Sequence, residues 1–217
     1  MTRRLAHHPA ATFASGGRRR SQHGIVFVEL AFVGMFLTIF VAGVFDFGFA
    51  WRSGLAMTEA TRAAARVGSS QGDSPGADYF AMTSMQASLV AASKMDDVQQ
   101  VVIFPASTAD GKVPTTCTTT SPTGVCNVLN GAQLKALNAN SFVTGTTDDP
   151  ATGTGCLRGG SYSMRAQWCP TSRSNVQASA DYMGVWIKYR HRYLFPVMGS
   201  YKDITRTTVM RLEPEQN

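Results

Sequence analysis

The chain has 217 residues, of which 44% are hydrophobic, with a formal net charge of +6 and a pI near 9.4. That length accommodates one ordinary domain plus a membrane segment, or two very small domains, and the apolar content excludes wholesale disorder. The basicity does not describe a nucleic-acid binder. Arg3, Arg4, Arg18, Arg19 and Arg20 fall within the first 24 residues, which hold no acid, and they leave only about one positive charge on everything that follows. A nucleic-acid-binding protein carries its basic patch on the folded domain.

Residues 1–24 form a polar, basic leader without apolar periodicity, and disorder is expected there. The composition changes abruptly at Gly24. Ile25 to Phe45 contains a single charge, Glu29, and about 21 helical residues at 1.5 Å each span a hydrocarbon core of about 30 Å. Trp51 and Arg52 follow, an aromatic and a cation where a membrane interface would lie. With the arginines before the span and no comparable block after it, the positive-inside rule keeps the N-terminus cytoplasmic and exports the C-terminus.

Phe47 to Val67 is Ala-rich and free of proline, so the helix is expected to continue to about Val67, where Gly68, Ser69, Ser70 and Gly72 end it. Residues 25–67 would then form one helix, roughly 65 Å long, followed by an exported domain over 68–217. Tyr79, Met82, Met85, Leu89 and Ala92 recur at helical spacing and predict a second helix from Ala77 to about Met95, its stripe a packing face. Val98 to Phe104 reads as a strand stopped by Pro105. Residues 107–160, dense in Thr, Gly, Ser and Asp, read as an irregular surface excursion with room for a short helix near Ala132 to Leu137. Alternation predicts strands over Tyr162–Trp168, around Val185–Arg190, and over Ile204–Leu212. Nearby strands without intervening long helices imply an antiparallel sheet and an α+β domain.

Cys117, Cys126, Cys156 and Cys169 all follow the span, on the side predicted to be oxidising. Neighbour pairing, Cys117–Cys126 and Cys156–Cys169, would close two short loops. Buried free thiols are the alternative, and zinc is disfavoured because neither gap is a tight C-x-x-C. Little else carries chemistry. His7, His8 and His23 lie in the leader, and His191, between Arg190 and Arg192, reads as a solvated strand residue rather than a base. The adjacent pairs Asp96–Asp97 and Asp148–Asp149 point to opposite faces if extended and make no acid/base couple. No phosphate loop, dinucleotide fingerprint, nucleophile elbow or zinc helix occurs, so neither an enzyme nor a cofactor is expected.

The junction at Gly24 is the most informative stretch. A carboxylate within a span is costly, about 2.5–3.5 kcal/mol at mid-depth. Glu29 either sits among the headgroups or has a partner. Cleavage between Gly24 and Ile25 would supply one: the new amine of a neighbouring subunit could neutralise Glu29, then the fifth residue of the mature chain.

A basic leader, Gly, four apolar residues, Glu and an apolar helix resemble a type IV prepilin processing site. Three stretches taken together, Gly24-Ile25-Val26-Phe27-Val28-Glu29-Leu30-Ala31, Phe45-Asp46-Phe47-Gly48 and Ala60-Thr61-Arg62-Ala63-Ala64-Ala65-Arg66, are similar to the TadE-like family. The closing Thr208-Val209-Met210-Arg211-Leu212-Glu213-Pro214 looks like the tails of that family. One departure is Ala63–Ala65, where a Glu-Gly-Ala run is common. The resemblance implies a minor pilin or pseudopilin of the tight-adherence (Flp pilus) system, held in the bacterial inner membrane. It implies membrane lipid, a prepilin peptidase, other pilins and the Tad secretion machinery as partners. The competing expectation is an extracytoplasmic protein of unrelated function, either anchored or secreted after a signal-peptidase cut at Val41-Ala42-Gly43.

Overall fold

In a computed structural model, residues 22–137, 167–195 and 199–214 are described. They form helices α1 (Gln22–Gln71), α2 (Ala77–Ala91) and α3 (Gly131–Lys135), and strands β1 (Val98–Ala106), β2 (Asn127–Asn130), β3 (Tyr182–Arg192) and β4 (Tyr201–Arg211). The chain divides into two compact units, Met1–Ala42 and Gly43–Asn217. In the first, every residue from Gly24 to Val41 is exposed along α1. The second is an α+β domain built on one antiparallel sheet in the order β2-β1-β3-β4.

The sheet is covered on one face by α2 and the later turns of α1. Met57, Ala60, Ala64 and Ala65 of α1 and Ala81, Met82, Met85 and Leu89 of α2 share a core with Val101, Ile103, Leu129, Met183, Val185, Ile187 and Tyr189. Each fully buried Leu or Met contributes roughly 1.5–3 kcal/mol of transfer free energy. The opposite face carries a smaller cluster of Val102, Phe104 and Trp186 under the Cys117–Cys126 disulfide, whose Cα atoms lie 6.2 Å apart. The alternation read in β3 therefore sorts Val185, Ile187 and Tyr189 towards the helices and Trp186 towards the disulfide.

Several element ends differ from the sequence reading. α1 continues through Gly68 to Gln71, because Gly68 serves packing: a Cβ there would collide with the Met183 side chain and press on Ala81. The stop is Gly72, at φ +56°. α2 ends at Ala91 rather than Met95, since Ser93 adopts φ 55° and the Lys94 N–H returns to the Leu89 carbonyl at 2.9 Å. Pro105 does not stop β1. Pairing with β2 covers only Gln100–Ile103, so at Pro105 the strand has a neighbour on one side alone, where a missing donor is tolerated. Residues 107–137 are not wholly irregular: they hold β2, which is too short to show a periodicity, and α3, which lies where the short helix near Ala132 to Leu137 is expected but starts one residue earlier and ends two earlier. α3 begins at a capping box in which Asn130 and Gln133 each accept the other's backbone N–H. β4 begins at Tyr201, three residues before the expected start. The strand expected over Tyr162–Trp168 lies outside the described residues except for Gln167 and Trp168, which belong to no strand.

Reducing Cys117–Cys126, or replacing both residues with serine, is expected to destabilise the domain by about 2–3 kcal/mol in the chain-entropy description. Urea unfolding with and without reductant measures this, and an unchanged midpoint would show that the bridge contributes nothing. Non-reducing peptide mapping should recover Cys117 linked to Cys126; crossed pairs would contradict it.

Candidate membrane anchor and assembly site

Within Gly24–Gln71 an 18-residue window reaches a mean hydropathy of 2.5 with only 6% of it buried, so α1 is long and apolar enough to cross a membrane. The low burial separates it from the core helix of a water-soluble fold. Ile25, Phe27, Leu30, Phe32, Phe36 and Phe40 are all exposed. Glu29 lies among them, also exposed. Gly24 and Ile25 sit in the first turn of α1, where the leading N–H groups have no intrahelical acceptors and the backbone opens most easily. A Cβ at Gly24, Gly34, Gly43 or Gly48 would meet nothing, so the described fold places no demand for glycine at any of them.

The second motif, around Asp46, turns inward. Asp46 is 3% exposed, and its carboxylate accepts the backbone N–H of Leu194 at 2.8 Å and of Phe195 at 3.1 Å, at the turn end of the β3–β4 hairpin. Phe45, Phe47 and Trp51 around it stay exposed. In the third motif, Ala60, Thr61, Ala64 and Ala65 face the sheet, with Thr61 Oγ1 2.9 Å from Thr208 Oγ1. Arg62 and Arg66 are exposed, Arg62 beside Glu59 at 3.3 Å. The alanines let the helix approach the sheet closely, and the arginines remain available on its outer side.

His191 is not solvated. Its place in the alternation of β3 puts it on the helix-facing side, where it is buried, 3.3 Å from Ser53 Oγ and edge-on to Tyr193. Burial pushes its pKa below the usual imidazole value, Lys94 pushes the same way, and Asp46 and Asp97 oppose them. A neutral, packed imidazole at this position is a structural element. Cys117 and Cys126 are buried and bonded to each other. Cys169 is buried and is no free thiol, and Cys156 lies outside the described residues.

The largest feature missed in the sequence is a buried ionic cluster. Arg173 and Asp78 meet at 2.7 Å with both side chains almost fully enclosed. Asn127 donates to the Asp78 carboxylate at 2.6 Å and to the Trp168 carbonyl at 2.7 Å, while accepting the Gln167 and Trp168 N–H groups. The Arg173 guanidinium lies 4.1 Å over the Trp168 ring. The cluster fastens the segment around Trp168–Arg173 to the start of α2. No periodicity signals such a pair, because its members lie 95 residues apart.

These features define an α+β protein with a long N-terminal helix that carries an apolar, unburied stretch, and with a helix-on-sheet domain. Residues 24–66 match the family described as TadE-like protein, covering α1 from Gly24 through the Ala–Arg segment and leaving the sheet outside the match. That match suggests involvement in the Tad (Flp) pilus system and association with its machinery. No curated protein and no solved structure is significantly similar to the chain.

Proposed function

We propose that this chain is a membrane-anchored minor pilin or pseudopilin that assists the assembly or initiation of Flp-type pili, acting as substrate and scaffold rather than as an enzyme. The observation that carries the reading is the exposed stretch of α1 matched by the TadE-like family, with one carboxylate, Glu29, five residues beyond Gly24. Gly34, Gly43 and Gly48 support it as well. Each glycine in a helix interior costs about 1 kcal/mol relative to alanine, and none is repaid by packing within the described chain. Small residues on an apolar helix are what close helix–helix contact in lipid uses.

In this reading the leader stays in the cytoplasm, α1 anchors the protein in the bacterial inner membrane, and the α+β domain lies outside. A prepilin peptidase cuts between Gly24 and Ile25, and the new amine of one subunit meets Glu29 of another. Deleting the chain should abolish or strongly reduce surface pili, with full-length protein restoring them. Undiminished pilus numbers in the deletion strain would sink the proposal. Gly24→Leu should leave membrane insertion intact but block cutting, by crowding the position before the scissile bond. A processed Gly24→Leu chain would place the cut elsewhere.

A further inference from the structure

We propose that the open cleft between the disulfide loop and the sheet face opposite the helices binds an acidic carbohydrate, a sugar or short oligosaccharide carrying a carboxylate. The cleft has a volume of about 500 Å³, within the range of small-ligand sites, and all of it lies in the α+β domain. Its floor continues the rows of Val102 and Trp186, through Gln100 on β1 and through Lys188 and Arg190 on β3. One wall is the loop closed by Cys117–Cys126, with Thr119 and Thr120 facing the cleft. Gln100 pins that wall to the floor, since its amide donates to the carbonyls of Cys117 at 3.3 Å and Thr119 at 3.4 Å. A wall held in this way loses little freedom when a ligand binds.

The charge of the cleft selects an anion. Among the described residues, its lining includes the cations of Lys188 and Arg190 and no carboxylate. Asp203, beside them on β4, accepts from Lys188 Nζ on one oxygen and from Arg190 Nε on the other, both at 3.1 Å. Two cations sharing one carboxylate leave a positive charge over, and the terminal nitrogens of Arg190 keep their donors. The guanidinium also lies 4.1 Å over the Tyr201 ring, so its fork is fixed before a ligand arrives.

The remaining lining selects hydroxyl groups. Gln99, Asn130 and Gln133 add amides to that of Gln100, and the loop threonines add hydroxyls, groups that both donate and accept. A regular strand would send the neighbours Gln99 and Gln100 to opposite faces. The register of β1 on β3 shifts between Val98 and Gln100, and both side chains line the cleft. A bare phosphate would use the cations and leave the amides and hydroxyls idle. A nucleotide would need an aromatic face for its base, and among the described residues the lining has none. A ring bearing a carboxylate and several hydroxyls matches both halves.

Saturation-transfer NMR titration of full-length protein, in a zwitterionic detergent free of sugar, tests this with a galacturonic acid trimer, the neutral galactose trimer of the same linkage, and inorganic phosphate. The acidic trimer should bind, and the neutral trimer should bind about tenfold more weakly, the loss expected of one charged hydrogen bond. Lys188→Gln should weaken the acidic trimer by a similar factor, whereas Lys112→Gln, at an exposed cation outside the cleft, should leave it unchanged. The double variant Thr119→Val, Thr120→Val keeps shape and charge and should weaken the trimer, so it decides the matter even if Lys188→Gln lowers the folded fraction. No binding of the acidic trimer at millimolar concentration, equal affinity for the neutral trimer, or an equal loss with Lys112→Gln would each overturn the proposal. Phosphate binding as tightly as the trimer, with the threonine variant without effect on either, would reduce the cleft to a bare anion site and overturn it too. Among the described residues none of α1 lines the cleft, so neither the span nor cleavage at Gly24 bears on the result.

Discussion

Arg173→Met is expected to destabilise the α+β domain by about 3–5 kcal/mol, the usual consequence of removing one member of a fully buried ion pair. The methionine retains most of the apolar stem. It abandons the 2.7 Å contact with Asp78, the bond to the Trp168 carbonyl at 3.2 Å and the stacking over the indole, and it leaves a carboxylate enclosed. Among the described residues Asp78 keeps one donor, Asn127, which is insufficient compensation for a full charge out of water. The penalty belongs to the orphaned charge rather than to the attraction itself, so the double variant Asp78→Leu, Arg173→Met should recover most of the loss. Urea unfolding of the detergent-solubilised protein, followed by tryptophan fluorescence, reports both. A single-variant loss below about 1 kcal/mol is the behaviour of a solvated pair and would contradict the enclosed cluster.

The second large effect concerns Glu29 and lies in assembly. Glu29→Gln preserves shape and hydrogen bonding without the charge, and Glu29→Ala removes both and makes α1 more apolar. Neither change touches the packed domain, since Glu29 is exposed and the core begins much later in the helix. Both variants should insert and be cut normally, yet show markedly fewer surface pili at matched membrane levels, because the amine of the neighbouring subunit loses its counter-charge. A carboxylate that merely rests among headgroups predicts unchanged pili with either substitution. Asp46, the other acid near the span, differs from Glu29: it accepts the backbone N–H groups of Leu194 and Phe195, so its loss would disturb the domain as well.

Features written in local periodicity were legible in the sequence. The apolar run from Ile25, the stripe of Met82, Met85 and Leu89, and the alternation of Val185, Ile187 and Tyr189 each follow from one element burying, or declining to bury, one face. Features made by contacts distant in sequence were not. Gly68 reads as a helix terminator until Met183 is seen packed against it, and His191 reads as solvated until the first strand residues of β3 fix which side of the sheet it faces. Pro105 is admissible because β2 begins only at Asn127, opposite Ile103. Asp78 and Arg173 are indistinguishable from surface charges without the fold. Within the site, the roles proposed for Gly24 and Glu29 rest on spacing along one helix, whereas the inward turn of Asp46 depends on contacts with residues nearly 150 positions away.

The mass of the mature N-terminal peptide, recovered from membranes of cells with a competent prepilin peptidase, tests the central claim most directly. The account predicts a chain beginning at Ile25. Recovery of full-length chain alone would contradict processing at Gly24, and a soluble product beginning near Val44 would identify a secreted protein instead of an anchored pilin.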